Sequence, residues 1–239
     1  MSAAGDARET VLLERSIVGP WTVERRRGPA AALHALDWPE PLGPTVWLLE
    51  VDRPALVLGS TQTESSVDRA VLAAQGIELA RRRSGGGSVL LEPGASVWID
   101  VLVPRAHERW DDDVSRSFRW LGAAWAAALG DLGLAVDVHR GGLICGRFGR
   151  QVCFAGIGPG EVTVGVGDPG EGHAGDRKAV GLSQRRTRAG ARFQSVVHRS
   201  WNPAPLAALD GVEPDELPPV ATIARRASVI EDALLARLA

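Results

Sequence analysis

Of the 27 basic residues in this chain only one is a lysine, Lys178; the others are arginine. Arginine holds a permanent charge on a planar fork, whereas lysine is a compact point donor that responds to desolvation. Arginine-rich codon usage explains the count, and it makes the surviving lysine a candidate for a task arginine does poorly. Lys178 lies in Asp176-Arg-Lys-Ala-Val-Gly-Leu-Ser-Gln-Arg-Arg186. Alternation of Lys178, Val180 and Leu182 predicts a strand that turns the ammonium inward. Gly181 and Ser183 keep its surroundings small enough for a ligand. Such an ammonium can hold a carbonyl oxygen or a phosphate as a point charge.

Two further segments carry reactive or anion-binding groups. Cys153 sits in Gln151-Val-Cys-Phe-Ala-Gly-Ile-Gly-Pro-Gly-Glu161, read as a strand over Val152–Phe154 running into a glycine-rich turn. A thiol there is reachable as a nucleophile, given a cation or backbone dipoles to favour the thiolate. An inert core thiol fits the same spacing. The other cysteine, Cys145, falls in a Gly/Arg turn. Gly85-Gly86-Gly87 follows Arg82, Arg83 and Ser84. Glycines admit close backbone approach, consecutive amides can form an anion nest, and arginines add charge-assisted contacts. The run lacks the Gly-Lys-Ser/Thr of a P-loop and the spacing and following helix of a dinucleotide fingerprint. A tight hairpin is its simplest alternative.

The elements that must position these groups alternate irregularly along the chain. Strands are expected over Thr10–Ile17, Thr45–Val51, Ala55–Leu58, Ile77–Ala80, Ser96–Val103, Leu134–His139, Glu161–Val164 and Lys178–Leu182. Helices are expected over Gly28–Trp38, Val67–Gln75 with a stop at Gly76, and Val114–Leu132, whose Phe118, Leu121, Trp125, Ala128, Leu129 and Leu132 share a face. Gly165–Arg177 reads as a mobile surface loop. The tail turns helical at Leu206–Leu209 and Ser228–Leu238. The pattern predicts an α+β fold, a single domain with mixed or largely antiparallel sheets flanked by helices.

Composition removes other classes. A net charge of −2 with 23% charged residues does not supply the basic surplus of a nucleic-acid binder. No run of about 18 apolar residues offers a membrane span. The polar N-terminus lacks the apolar core of a signal peptide, so a cytoplasmic location is expected. His34, His107, His139 and His173 show no metal-ligand spacing. Asp111-Asp112-Asp113 fits capping of the helix that follows.

Taken in order, Arg82-Arg83-Ser84-Gly85-Gly86-Gly87, then Cys153-Phe154, then Lys178-Ala-Val-Gly181 resemble the lipoate-attachment family of lipoate–protein ligases and octanoyl/lipoyl transferases, which shares a catalytic domain with biotin–protein ligases. The resemblance runs from about Leu48 to His198 and includes Gly59-Ser60-Thr61-Gln62 as the upstream Gly-x-x-Gln element. It implies a catalytic domain over residues 1–200 with a short helical tail, 201–239, packed on it. It implies catalytic roles for Cys153 and Lys178, and substrate binding by Gln62, Arg82, Arg83, Ser84, Gly85, Gly86, Gly87 and Gly181. The implied activity is transfer of an octanoyl or lipoyl group to a carrier-protein lysine through a Cys153 thioester. Acyl carrier protein and lipoyl-domain proteins are the implied partners. Transfer needs no cofactor; the alternative, a lipoate–protein ligase, needs ATP and Mg. The family's His-Asp pair after the glycine loop is replaced by Leu91-Glu92, and its later His-Gly element by Gln194-Ser195-Val196-Val197. Cys153 and the short tail favour the transferase over the ligase, while the replacements weaken the claim to ligase chemistry and keep a non-catalytic acyl- or carrier-binding paralogue as a third reading.

Overall fold

The computed structural model describes residues 9–165 and 176–239. Its strands, in chain order, are β1 (Val11–Val18), β2 (Trp21–Gly28), β3 (Thr45–Val51), β4 (Ala55–Leu58), β5 (Glu78–Arg81), β6 (Val89–Leu91), β7 (Ser96–Pro104), β8 (Asp137–Val138), β9 (Ile144–Cys145), β10 (Gly156–Ile157), β11 (Val162–Val164), β12 (Arg177–Arg186) and β13 (Gly190–His198). The α-helices are α1 (Ala30–Ala35), α2 (Arg69–Ala74), α3 (Arg119–Asp131) and α4 (Ala227–Leu238). One sheet runs β1-β2-β3-β7-β13-β12-β11-β8, a second β5-β4-β6, and β9 pairs with β10 in a short ribbon. Pairing is antiparallel except for β2 with β3 and β4 with β5. The expected α+β class with mixed sheets is what the chain adopts.

The layers follow from the period of two along the central strands. On β7, Val97, Ile99, Val101 and Val103 join a core with Leu121 and Trp125 of α3 and Ile230 and Leu234 of α4. Trp98 and Leu102 point the other way, into a second core between the two sheets with Val57 and Leu91. Beyond the small sheet, Leu56, Leu58 and Leu90 meet Leu72 of α2 and Leu206 and Leu209 of the tail. The small sheet is therefore buried on both faces. Trp21 Nε1 donates to Leu238 O at 2.9 Å, tying the end of α4 to β2.

Several expectations change. The run Glu24-Arg25-Arg26-Arg27 hides β2, because its charges read as solvent-facing. In the fold Glu24 is 2% exposed and pairs with Arg15 and Arg26, while Arg25 pairs with Glu50 and Glu231. β13 was hidden in the same way by Arg192, Gln194 and Ser195, all of them buried. The strand expected at Leu134–His139 shrinks to β8, and Lys178–Leu182 grows into the ten residues of β12. Val152–Phe154 is no strand: Cys153–Ala155 forms a single 3-10 turn, with Ala155 N–H donating to Val152 O at 3.0 Å. Cys145 belongs to β9 and not to a turn. The helix expected from Val114 opens as a 3-10 turn, with α3 proper from Arg119; Asp113 caps it by accepting from Ser115 N–H and Arg116 N–H at 2.8 and 3.1 Å. Gly76, at φ 65°, closes α2 as expected, with Ile77 N–H reaching Leu72 O at 2.9 Å. Most of the loop expected at Gly165–Arg177, with His173, lies outside the described residues. Among the described residues no helix is long and apolar enough to cross a membrane.

Candidate active site

The glycine run is not a hairpin. β5 and β6 pair with opposite edges of β4, so the chain between them crosses the end of β4. The crossing is tight: a Cβ on Gly59 would lie 1.9 Å from Gly86 O, and one on Gly87 would lie 2.8 Å from Cys153 N. Arg82 supports the crossing. It is 4% exposed, and its Nη2 donates to Gly85 O at 2.7 Å and Gly87 O at 2.8 Å. Burial pulls its pKa below the ordinary arginine value, against the opposing pull of Cys153 and Glu161. Gln62 braces the same region, accepting from Gly59 N–H at 2.9 Å and Ser88 Oγ at 3.0 Å while donating to Gln151 O at 3.0 Å. Arg83 is exposed and does not line the cavity described below. The expected anion-binding arginines thus divide into one that supports the loop and one at the surface.

This geometry separates the glycines. Gly87→Ala forces backbone against backbone and pushes the Cys153 turn away. We expect about 1–3 kcal/mol of destabilisation and a larger fractional loss of activity. Gly85→Ala, with nothing among the described residues within 4 Å of its new methyl, stays within about 0.5 kcal/mol. Urea denaturation of the two variants checks the contrast.

Cys153 and Lys178 converge, although they are far apart in sequence. The Lys178 ammonium lies 2.7 Å from Cys153 O, 3.1 Å from Gly156 O and 2.7 Å from Glu161 Oε2, with Cys153 Sγ at 3.5 Å. All three ammonium hydrogens therefore have oxygen acceptors. Burial opposes the lysine charge, but Cys153 and Glu161 outweigh it and hold the pKa above the ordinary lysine value. Glu161 escaped the sequence reading. It is 4% exposed, and it also accepts from Gly158 N–H at 2.6 Å and Leu182 N–H at 2.9 Å. A lone inward lysine needs a buried counter-charge, and that was the available signal.

Cys153 lines a narrow cavity between the two sheets. Val57, Val89 and Leu91 wall it from the small sheet, and Trp98, Leu182 and Val196 from the large one; Gly181 and Phe154 also border it. A Cβ on Gly181 would lie 3.1 Å from the Phe154 ring. Gln62 and Lys178 stand outside this wall. Lys178 and Phe154 border a second, open groove with Arg147, Phe148 and Asp176. A buried polar network backs the cavity. Arg192 pairs with Asp100 at 2.6 Å, and Asp100 also accepts from Trp98 Nε1 at 2.7 Å. Ser84 Oγ donates to Gln194 Oε1 at 2.6 Å. Asp100, Arg192 and Gln194 went unnoticed as site residues, although a charge inside the apolar run Ser96–Val103 marks such a network. Among the described residues no group of three His, Cys, Asp or Glu side chains is placed to hold a metal.

His198 packs against Phe154 and Trp201, with ring centroids 4.4 and 4.7 Å away. Burial, aided by the Lys178 charge, pushes its pKa down to about 3. The folded value lies below the unfolded one, so the stability involved is complete above the ordinary histidine pKa and is lost as pH falls toward 3. We expect the wild type to lose about 2 kcal/mol more between pH 7 and pH 5 than His198→Gln, at about 1.4 kcal/mol per pH unit below the ordinary value. Urea melts at the two pH values measure it.

The family model of the lipoyl protein ligase A/B catalytic domain matches residues 32–208, well over half of the chain. No curated protein matches. Among solved structures, the fold is similar to lipoate-protein ligase A bound with ATP, at a TM-score of 0.66 and 18% identity over 93% of this chain and 84% of that one. It is also similar to the bi-partite lipoate protein ligase of Thermoplasma acidophilum, described with its E2 lipoyl domain, at a TM-score of 0.63 and 18% identity over 87% of this chain and 74% of that one. A T. acidophilum structure with bound lipoic acid gives a TM-score of 0.61 at 18% identity, over 82% of this chain and 71% of that one.

Proposed function

The chain belongs to the lipoyl protein ligase A/B catalytic-domain family, and from that premise we propose an enzyme of lipoate attachment that moves an octanoyl or lipoyl group to a carrier-protein lysine through Cys153. The observation that carries this is the Cys153 thiol on the wall of a largely apolar cavity, 3.5 Å from a buried lysine ammonium. The Cys153 sulfur attacks the carbonyl of an acyl thioester on a carrier protein, and the departing carrier thiolate takes up the proton. The amine of a lipoyl-domain lysine then attacks the Cys153 thioester, forming the amide and returning the thiol. Lys178 supplies positive charge beside the sulfur, and an oxyanion formed there takes the place of one of its backbone acceptors. Gly85–Gly87 bring backbone close to the same turn.

The second reading is an ATP-dependent ligase, favoured by the likeness in fold to the ATP-bound lipoate-protein ligase A. In that reading ATP is a substrate, and the groove along Arg147, Asp176 and Lys178 is the space beside the cavity for the activating group. Two measurements test the proposal. Intact mass after incubation with octanoyl carrier protein should show one octanoyl adduct, and ATP–pyrophosphate exchange with lipoate or octanoate should be absent. Exchange without an adduct establishes the ligase; neither signal leaves the non-catalytic binder.

A further inference from the structure

His34, from α1, reaches the same cavity and is not among the residues that the acyl-transfer reading uses. Its ring lies against Trp98 with centroids 4.3 Å apart, and the residue is 7% exposed. Gln194 decides its tautomer. Ser84 Oγ donates to Gln194 Oε1 at 2.6 Å, which leaves the Gln194 amide NH₂ facing Asp100 Oδ2 at 3.3 Å and His34 Nδ1 at 3.2 Å. Asp100, paired with Arg192, can only accept when ionised. Nδ1 of His34 therefore accepts, and the ring proton sits on Nε2. That Nε2–H is buried and has no partner among the described residues. Burial and the Arg192 and Arg82 charges push the His34 pKa well below its ordinary value, so the ring stays neutral with this single donor.

We propose that His34 forms a polar subsite in the acyl cavity, which selects an acyl chain bearing a hydrogen-bond acceptor, such as a ring sulfur or an oxygen, over a plain alkyl chain. The proposal rests on the reading of the cavity as the acyl site. An alkyl chain leaves this donor unpaired, as it already is, whereas an acceptor placed against it gains a hydrogen bond. Sulfur accepts weakly and oxygen strongly, so an oxygen probe shows the effect most clearly.

The test is calorimetric binding of octanoate, ω-hydroxyoctanoate and lipoate to the full chain, where free acids undergo no acyl chemistry. A purely apolar cavity binds ω-hydroxyoctanoate more weakly than octanoate, because the hydroxyl is desolvated for nothing. With the subsite, ω-hydroxyoctanoate binds about tenfold more tightly than octanoate. His34→Met reverses that order, and His34→Gln, whose amide restores an N–H near Nε2, keeps it. Tighter binding of octanoate than of ω-hydroxyoctanoate by the wild type overturns the subsite alone, as does a His34→Met protein that keeps the wild-type order. Failure of all three acids to bind overturns the acyl-site reading and the subsite with it.

Discussion

Cys153→Ala should abolish the octanoyl adduct and lower transfer by at least about 10³-fold, since removing a covalent nucleophile leaves only binding and oxyanion stabilisation. The side chain is half-buried and borders the cavity, so its loss removes one sulfur from a wall that is otherwise intact. Folding should hold, and circular dichroism with a thermal melt verifies it. Cys145 is the internal control. It is exposed in the β9–β10 ribbon and does not line the cavity. Cys145→Ala should keep both the adduct and the rate. A Cys153→Ala protein that transfers at the wild-type rate assigns the chemistry to direct attack of the lysine on the acyl donor or to the ligase, and ATP–pyrophosphate exchange separates the two.

The segments legible in the sequence were those whose burial follows a simple period. Thr45–Val51 and Ala55–Leu58 were read to the residue, because apolar side chains cover both faces of strands buried between layers. β2 and β13 were not legible, since their charged residues are satisfied by partners distant in sequence. Arg25 finds Glu231 across most of the chain, and Arg192 finds Asp100 on the neighbouring strand. No local pattern encodes such pairings. The Cys153 turn failed for a related reason. Val-Cys-Phe has strand composition, but Val152 meets only Ser88 in an isolated bridge, and Gly87 lies against the turn.

The site was legible as residue types, less so as roles. Cys153, Gly181, Lys178 and the glycine loop were found by motif, and the fold brings them to one region. Arg82 and Gln62, expected at the substrate, spend their hydrogen bonds on the loops that shape the cavity. A motif records which side chains occur together; it does not record whether a guanidinium faces a ligand or a carbonyl of its own chain. Leu91 and Val196, in the segments where the resemblance departs from its pattern, prove to be apolar cavity wall.

Lys178 allows structural and chemical roles to be separated. Lys178→Ala leaves the Glu161 carboxylate buried without its counter-charge and strips donors from Cys153 O and Gly156 O. Breaking a buried pair in this way costs about 3–5 kcal/mol. Activity lost by that variant alone is therefore uninformative. The double variant Lys178→Met, Glu161→Gln removes both charges and keeps similar volumes. It should regain much of the stability lost by either single change, because the cost lies mainly in the orphaned charge. Transfer should stay depressed by about 10²–10³-fold, the usual effect of losing one preorganised donor, because the ammonium beside the sulfur is gone. Lys178→Arg keeps the charge but must fit a wider, planar head among three fixed oxygen acceptors, and it should fall nearly as far. pH offers an independent check. The Lys178 pKa is raised on folding, so the stability from this group is complete below the ordinary lysine value and is lost only as pH rises through the folded one. Acid weakening of the wild type between pH 7 and pH 5 should therefore persist in the double variant and vanish only when the buried histidines are replaced. Urea melts and single-turnover transfer on each variant decide the matter: a double variant that recovers both stability and rate would reduce Lys178 to a strut, and Lys178→Arg at the wild-type rate would reduce it to a charge.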